Sequence, residues 1–148
     1  MAEDYLRKGG VEGPPVPSEL VTIFDPTREV EVRYVPLRVY HGGAWLLGDE
    51  WVIHVNAREP RCVKRYTLFH EAFHVVSRAV CPSFKKFDLS YRPVNELLAD
   101  YFSTCILMPR QWVGEYWAKT GSVPKMSRIF DVPESALRKR LRQLGLTE

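Results

Sequence analysis

The 148-residue sequence carries only three cysteines, Cys62, Cys81 and Cys105, an odd number with no C-x-x-C pair. They read as reduced, half-buried thiols of a cytoplasmic protein, with a single disulfide as the alternative. No N-terminal segment joins basic residues to a long apolar run, so no signal peptide is expected, and no stretch is long enough to span a membrane. There is no glycine-rich cofactor loop, which leaves nucleotide-dependent chemistry unsupported, and no internal repeat or low-complexity tract. Charge of one sign is also scarce: the formal net charge is +3, enough for ordinary solubility and too little by itself to demand nucleic acid. With 45% hydrophobic residues, the chain is long enough for one domain with a real core.

What is present is His70-Glu71-Ala72-Phe73-His74, an H-E-x-x-H sequence inside a long apolar run. In a helix from about 61 to 80, His70 and His74 share one face, close enough for both imidazoles to hold one metal ion. Glu71 lies about 100° round the helix, beside the ion, where a general base takes a proton from a metal-activated water. The helix is apolar nearly all round, so buried imidazoles and a carboxylate there need partners, and a divalent cation supplies one.

Zinc needs a third protein ligand and, for catalysis, an open fourth position. Glu96 and Asp100, four apart in the next helical stretch, fall on one face. Glu96 reads as the third ligand and Asp100 as the acceptor that fixes the tautomer of a ligand histidine. The alternative is two solvated acids on the wet side of an amphipathic helix whose Leu97, Leu98, Phe102, Ile106 and Leu107 pack elsewhere.

The segment Arg65-Tyr66-Thr67-Leu68-Phe69-His70-Glu71-Ala72-Phe73-His74, then Glu96-Leu97-Leu98-Ala99-Asp100-Tyr101-Phe102 and Ile106-Leu107-Met108-Pro109, resembles the ImmA/IrrE family of zinc-dependent metallopeptidases. The matched pattern is an R-[FY]-T-L-x-H-E-x-x-H helix followed by an E-x-x-A-[ND]-x-F-A helix that runs into L-M-P. The resemblance spans roughly residues 51 to 109, with an echo at the C-terminus. Two positions depart from the family pattern, with Phe73 where glycine is frequent and Ser103 where alanine is usual. The resemblance implies Glu96 as a ligand, Glu71 as the catalytic base, one Zn²⁺ per chain, and a specific protein substrate, often a helix-turn-helix repressor in stress or mobile-element control.

Elsewhere the chain is less explicit. Residues 1–17, with Pro14-Pro15-Val16-Pro17, predict a flexible arm ahead of a single domain over 18–148. Ser18 is expected to cap a short helix carrying Leu20, Val21, Ile23 and Phe24. Period-two alternation from Val30 and around Gly48-Asp49 predicts strands, the last being Trp51 to Asn56. If that strand is a sheet edge, it is a platform for an extended peptide, and His54 on its other face is a candidate oxyanion donor. His41, in the preceding turn, is a weaker candidate. Tyr91 and Arg92, in the loop after Cys81, are candidate substrate contacts.

Arg58, Arg61, Lys64 and Arg65 crowd the start of the metal helix and require an acidic partner or solvent. Trp112, Val113, Tyr116 and Trp117 form an aromatic stripe expected to be core. Residues 123–146 read as a helix-turn-helix-like pair with a basic face of Arg138, Lys139, Arg140 and Arg142.

The fold expected is α+β, a small twisted antiparallel sheet packed on a helical layer. The expected activity is zinc-assisted peptide hydrolysis. The alternative is a catalytically idle metal-binding module that holds a repressor or DNA through its C-terminal helices; nucleic acid is the less favoured partner and a membrane is not expected.

Overall fold

The computed structural model describes residues 1–80 and 92–146. The elements run α1 (Ala2–Lys8), a 3-10 turn (Ser18–Ile23), β1 (Val30–Val35), β2 (Gly42–Leu47), β3 (Glu50–Asn56), α2 (Arg61–Val80), α3 (Arg92–Leu107), α4 (Arg110–Thr120), α5 (Val123–Phe130) and α6 (Glu134–Gln143). The α+β class stands. The sheet is mixed, however, in the order β1-β3-β2, with β3 antiparallel to β2 and parallel to β1. Gly48, at φ 64°, allows the two-residue turn that folds β3 back on β2. β3 then enters between β2 and β1 and becomes the central strand. Its near-continuous run Trp51-Val52-Ile53 is buried on both faces, as suits a centre, and the expectation of a β3 edge is overturned.

α2 lies along one face of the sheet. Leu68, Phe69, Ala72, Val75 and Val76, at helical spacing, have essentially no exposure and form the floor of the core. Each large apolar side chain buried in this way contributes about 1.5–3 kcal/mol. α3 packs antiparallel to α2, with Phe73 against Phe102 at 5.5 Å between ring centroids. Leu97 and Leu98 do not pack as expected: at 67% and 44% exposure they lie on the outer face of α3, and Ala99, Phe102, Ile106 and Leu107 make the buried side.

The expected N-terminal arm is instead packed. Leu6 and Val16 are buried, and Tyr5 lies 4.7 Å from the Phe24 ring. Gly9 permits this approach, since a Cβ there would sit 2.3 Å from Leu20 Cδ1. Ser18 caps nothing; its Oγ accepts from the Arg65 guanidinium at 3.2 Å. Arg65 is the knot of this region. It is 7% exposed and also donates to the carbonyls of Val16 (2.6 Å) and Asp131 (3.1 Å). The Asp131 carboxylate meets Arg65 Nε at 3.2 Å and Arg61 Nε at 2.9 Å, and so supplies the acid that the cationic start of α2 requires.

The C-terminal pair α5–α6 forms as expected, with Asp131 in the left-handed conformation at the end of α5. Of the stripe on α4, Val113 is buried in the core, while Trp112, Tyr116 and Trp117 are half-buried and pack against it, Tyr116 edge-on to Phe130 at 5.5 Å. The basic face loses one member. Arg140 is buried and donates through Nε to the Met108 carbonyl at 3.0 Å, which ties α6 to the end of α3.

Candidate metal centre

Antiparallel packing of α2 on α3 brings residues 30 and 26 positions apart into contact. His70 Nε2 lies 2.8 Å from Glu96 Oε2, and His74 Nε2 lies 3.4 Å from Glu96 Oε1. The glutamate carboxylate thus spans both imidazoles, whose centroids are 5.8 Å apart. One ligand atom from each of His70, His74 and Glu96 falls within 4.8 Å of the others. Two imidazole nitrogens from half-buried histidines and an oxygen of the exposed Glu96 carboxylate converge, and this donor set fits zinc. On the far side of the His70 ring, Nδ1 meets Asp100 Oδ1 at 2.8 Å. A carboxylate there holds the proton on Nδ1 and leaves the Nε2 lone pair aimed into the cluster.

The electrostatics agree with this geometry. Burial pushes the Glu71 carboxyl up to about 7, with Glu96 adding to the rise and His70 opposing it. Burial likewise pushes His74 down toward its neutral, ligating form, against the pull of Glu96. Glu71, Glu96 and Asp100 therefore converge on two imidazoles, one of them already biased to neutrality. A divalent cation offsets that excess of acid.

Glu71 points to the sheet side of the cleft. Gly42, at the start of β2, lies against it: a Cβ on Gly42 would stand 3.4 Å from Glu71 Cγ, 3.0 Å from Thr67 Cγ2 and 2.5 Å from the His54 carbonyl oxygen. No side chain fits there, and the edge strand approaches α2 closely for that reason. In the β2–β3 register Gly43 pairs with His54 and Trp45 with Val52, and Asn56 N–H donates to His41 O at 2.7 Å. Antiparallel alternation then turns the backbone groups of Gly42, Ala44 and Leu46 outward, to the side of β2 that pairs with no other strand among the described residues. This edge was not singled out in the sequence, where Gly42-Gly43 reads as a turn. A glycine pair entering a strand is the signal that marks such an approach.

The other candidates do not join the centre. His54 lies on the face of β3 opposite Ile53 and Val55, and so away from α2, with its ring 5.0 Å from that of Trp45. It stands apart from the His70–His74–Glu96 cluster. His41 Nδ1 is engaged by Glu59 at 2.9 Å. Tyr91 and the loop after Cys81 lie outside the described residues; Arg92 opens α3, and its side chain is likewise outside them. Phe73, half-buried between Phe102 and the His74 ring at 6.0 Å, belongs to the seam of α2 and α3.

No helix among the described residues is long and apolar enough to cross a membrane. No curated protein matches the chain. The family model Peptidase_M78, described as the IrrE N-terminal-like domain, matches residues 25–142 and so takes in the sheet, α2 and α3 with the His70–His74–Glu96 cluster, and most of the C-terminal pair. Its span covers most of the chain, and the protein belongs to this peptidase family.

Proposed function

We propose that the protein is a zinc-dependent endopeptidase that cleaves an extended segment of a protein substrate. The observation that carries this reading is the position of Glu71, a half-buried carboxylate beside the His70–His74–Glu96 cluster and against β2, an edge strand among the described residues. A structural metal site has no use for a base of this kind beside it.

His70, His74 and Glu96 would hold the ion, and Asp100 would orient His70 through Nδ1. Zinc, when bound, supplies Lewis acidity toward the scissile carbonyl and lowers the pKa of water. The substrate strand pairs with the outward N–H and C=O groups of Gly42, Ala44 and Leu46, which lays its carbonyls along the cleft beside α2. β2 therefore takes the platform role expected of β3. Glu71 accepts the proton that water gives up as it adds to the carbonyl carbon, and returns it to the amine as the C–N bond breaks. A carboxyl near neutrality suits both transfers. A helix-turn-helix repressor is the first protein substrate to try, on the resemblance alone.

The test compares the native chain with Glu71→Gln for zinc content by elemental analysis and for cleavage of a diverse peptide library followed by mass spectrometry. Equal zinc in both chains, with cleavage by the variant about 10²–10⁴-fold slower, is the expected result. Loss of zinc in Glu71→Gln would remove the base assignment. A native chain without zinc would leave a module that binds through its other surfaces.

A further inference from the structure

Tyr66, His70 and His74 follow one another at one-turn spacing along α2, and Thr104, Asp100 and Glu96 answer them in reverse order along α3. The result is a ladder of polar rungs across the seam. Two rungs hold ligand atoms, His70 and His74 against Glu96. The third holds none: the Tyr66 hydroxyl lies 3.2 Å from the Asp100 carbonyl oxygen and 3.2 Å from Thr104 Oγ1. The Thr104 hydroxyl donates to that same carbonyl at 2.9 Å. This rung closes on the backbone of the residue whose side chain grips His70.

Resting on the metallopeptidase reading above, we infer that Tyr66 is a positioning residue of the metal centre. Its hydroxyl, with Thr104, fixes the register of α3 on α2 and so keeps Glu96 and Asp100 aimed at the two histidines. The apolar seam, Phe73 on Phe102, is non-directional and tolerates a small slide of one helix past the other. A hydrogen bond to a backbone carbonyl does not. The tolerance matters, because metal–ligand distances hold to about 0.2 Å and a one-residue shift moves a helix by about 1.5 Å. Burial also raises the Tyr66 phenol above its ordinary value, so it remains a neutral donor.

The test measures Zn²⁺ affinity by chelator competition and the visible absorption of the Co²⁺-substituted protein, for the native chain, Tyr66→Phe, Thr104→Val and Thr104→Ser. Tyr66→Phe and Thr104→Val should weaken zinc roughly three- to tenfold, less than loss of a group bonded directly to a ligand, and shift the cobalt bands. Thr104→Ser, which keeps the hydroxyl, should match the native chain in both. Thermal unfolding of the metal-free proteins separates out plain stability. A Tyr66→Phe chain that is less stable yet has native zinc affinity and a native cobalt spectrum overturns the positioning role. Should that variant fail to fold, equal behaviour of Thr104→Val and Thr104→Ser overturns it instead. A native chain that takes up neither metal sinks the metallopeptidase reading first, and this role with it.

Discussion

Two polar clusters on α2, one at its N-terminal end and one at mid-helix, hold their groups in opposite ways. At its N-terminal end, Arg65 is enclosed and every direction of its guanidinium is answered: Val16 and Asp131 carbonyls, the Ser18 hydroxyl and the Asp131 carboxylate. Charge and hydrogen bonding close within the protein. One to two turns further on, His70, Glu71 and His74 face Glu96 and Asp100, and the acids outnumber what the imidazoles can neutralise. There the protein alone leaves a carboxyl displaced to about 7 by burial. A closed polar cluster reports architecture, whereas an open one, with charge left over and beside it a strand edge that is unpaired among the described residues, reports chemistry.

Breaking the open cluster should have the largest effect. His74→Ala removes one of three converging ligand atoms, and zinc affinity should fall more than 100-fold, since even groups one bond removed from a ligand are worth 10–100-fold. Elemental analysis of protein purified without added metal reads this directly. Zinc retained at one per chain in His74→Ala would mean that the ligand set is not His70, His74 and Glu96.

Breaking the closed cluster should cost stability and spare the metal. Arg65→Met keeps much of the aliphatic stem but strands the Val16 carbonyl and halves the cation set around Asp131. Truncating one partner of a buried ion pair costs about 3–5 kcal/mol, and urea unfolding should show a loss near the lower figure because Arg61 still reaches Asp131. Zinc bound per folded chain should not change. A matching loss of zinc affinity would show that the two clusters are coupled through the helix.

The open cluster was more legible in the sequence than the closed one, and the reason is distance along the chain. His70, Glu71 and His74 report their common purpose through spacing within one helix, and Glu96 and Asp100 repeat the trick on the next. Arg65 finds its partners 66 residues ahead and 49 behind, and nothing in local periodicity points to Asp131 or Val16. The strands show the same divide. Alternation identified β3 and its inward Trp51, Ile53 and Val55, yet strand neighbours and direction are set by tertiary pairing, so the central place of β3 and the edge at Gly42 emerged only in three dimensions. Leu97 and Leu98 are apolar without being core, because helical spacing marks an apolar stripe and not the side on which the core lies.

Asp25, which is buried, sharpens the contrast at lower cost. Burial would raise Asp25, but hydrogen bonds from the Thr27 amide, the Trp51 indole at 2.9 Å, the Thr27 hydroxyl and Arg28 outweigh it and hold the carboxyl at about 2. It is a closed site of the Arg65 kind. A depressed folded pKa gives stability that is full above the unfolded value near 4 and is lost as pH falls toward 2. Asp25→Asn should therefore narrow its stability deficit against the native chain by about 2 kcal/mol between pH 4 and pH 2 in urea unfolding. A deficit constant across that window would mean that Asp25 stabilises through its contacts alone.

Glu71 must show the opposite sign, in the metal-free protein. Its folded pKa is raised, so folding favours the protonated carboxyl, and the stability this confers is present at low pH and lost as pH rises from the ordinary carboxylate range through about 7. Glutamine has the same shape and carries no charge at any pH. Metal-free Glu71→Gln should match the native chain near pH 5 and melt a few degrees higher at pH 8, a gain paired with loss of cleavage. With zinc bound the difference should shrink, because a divalent charge beside the carboxylate lowers its pKa again. Parallel melting curves for the two metal-free proteins from pH 5 to pH 8 would show that burial does not strain Glu71, and the distinction between the two polar clusters of α2 would then rest on geometry alone.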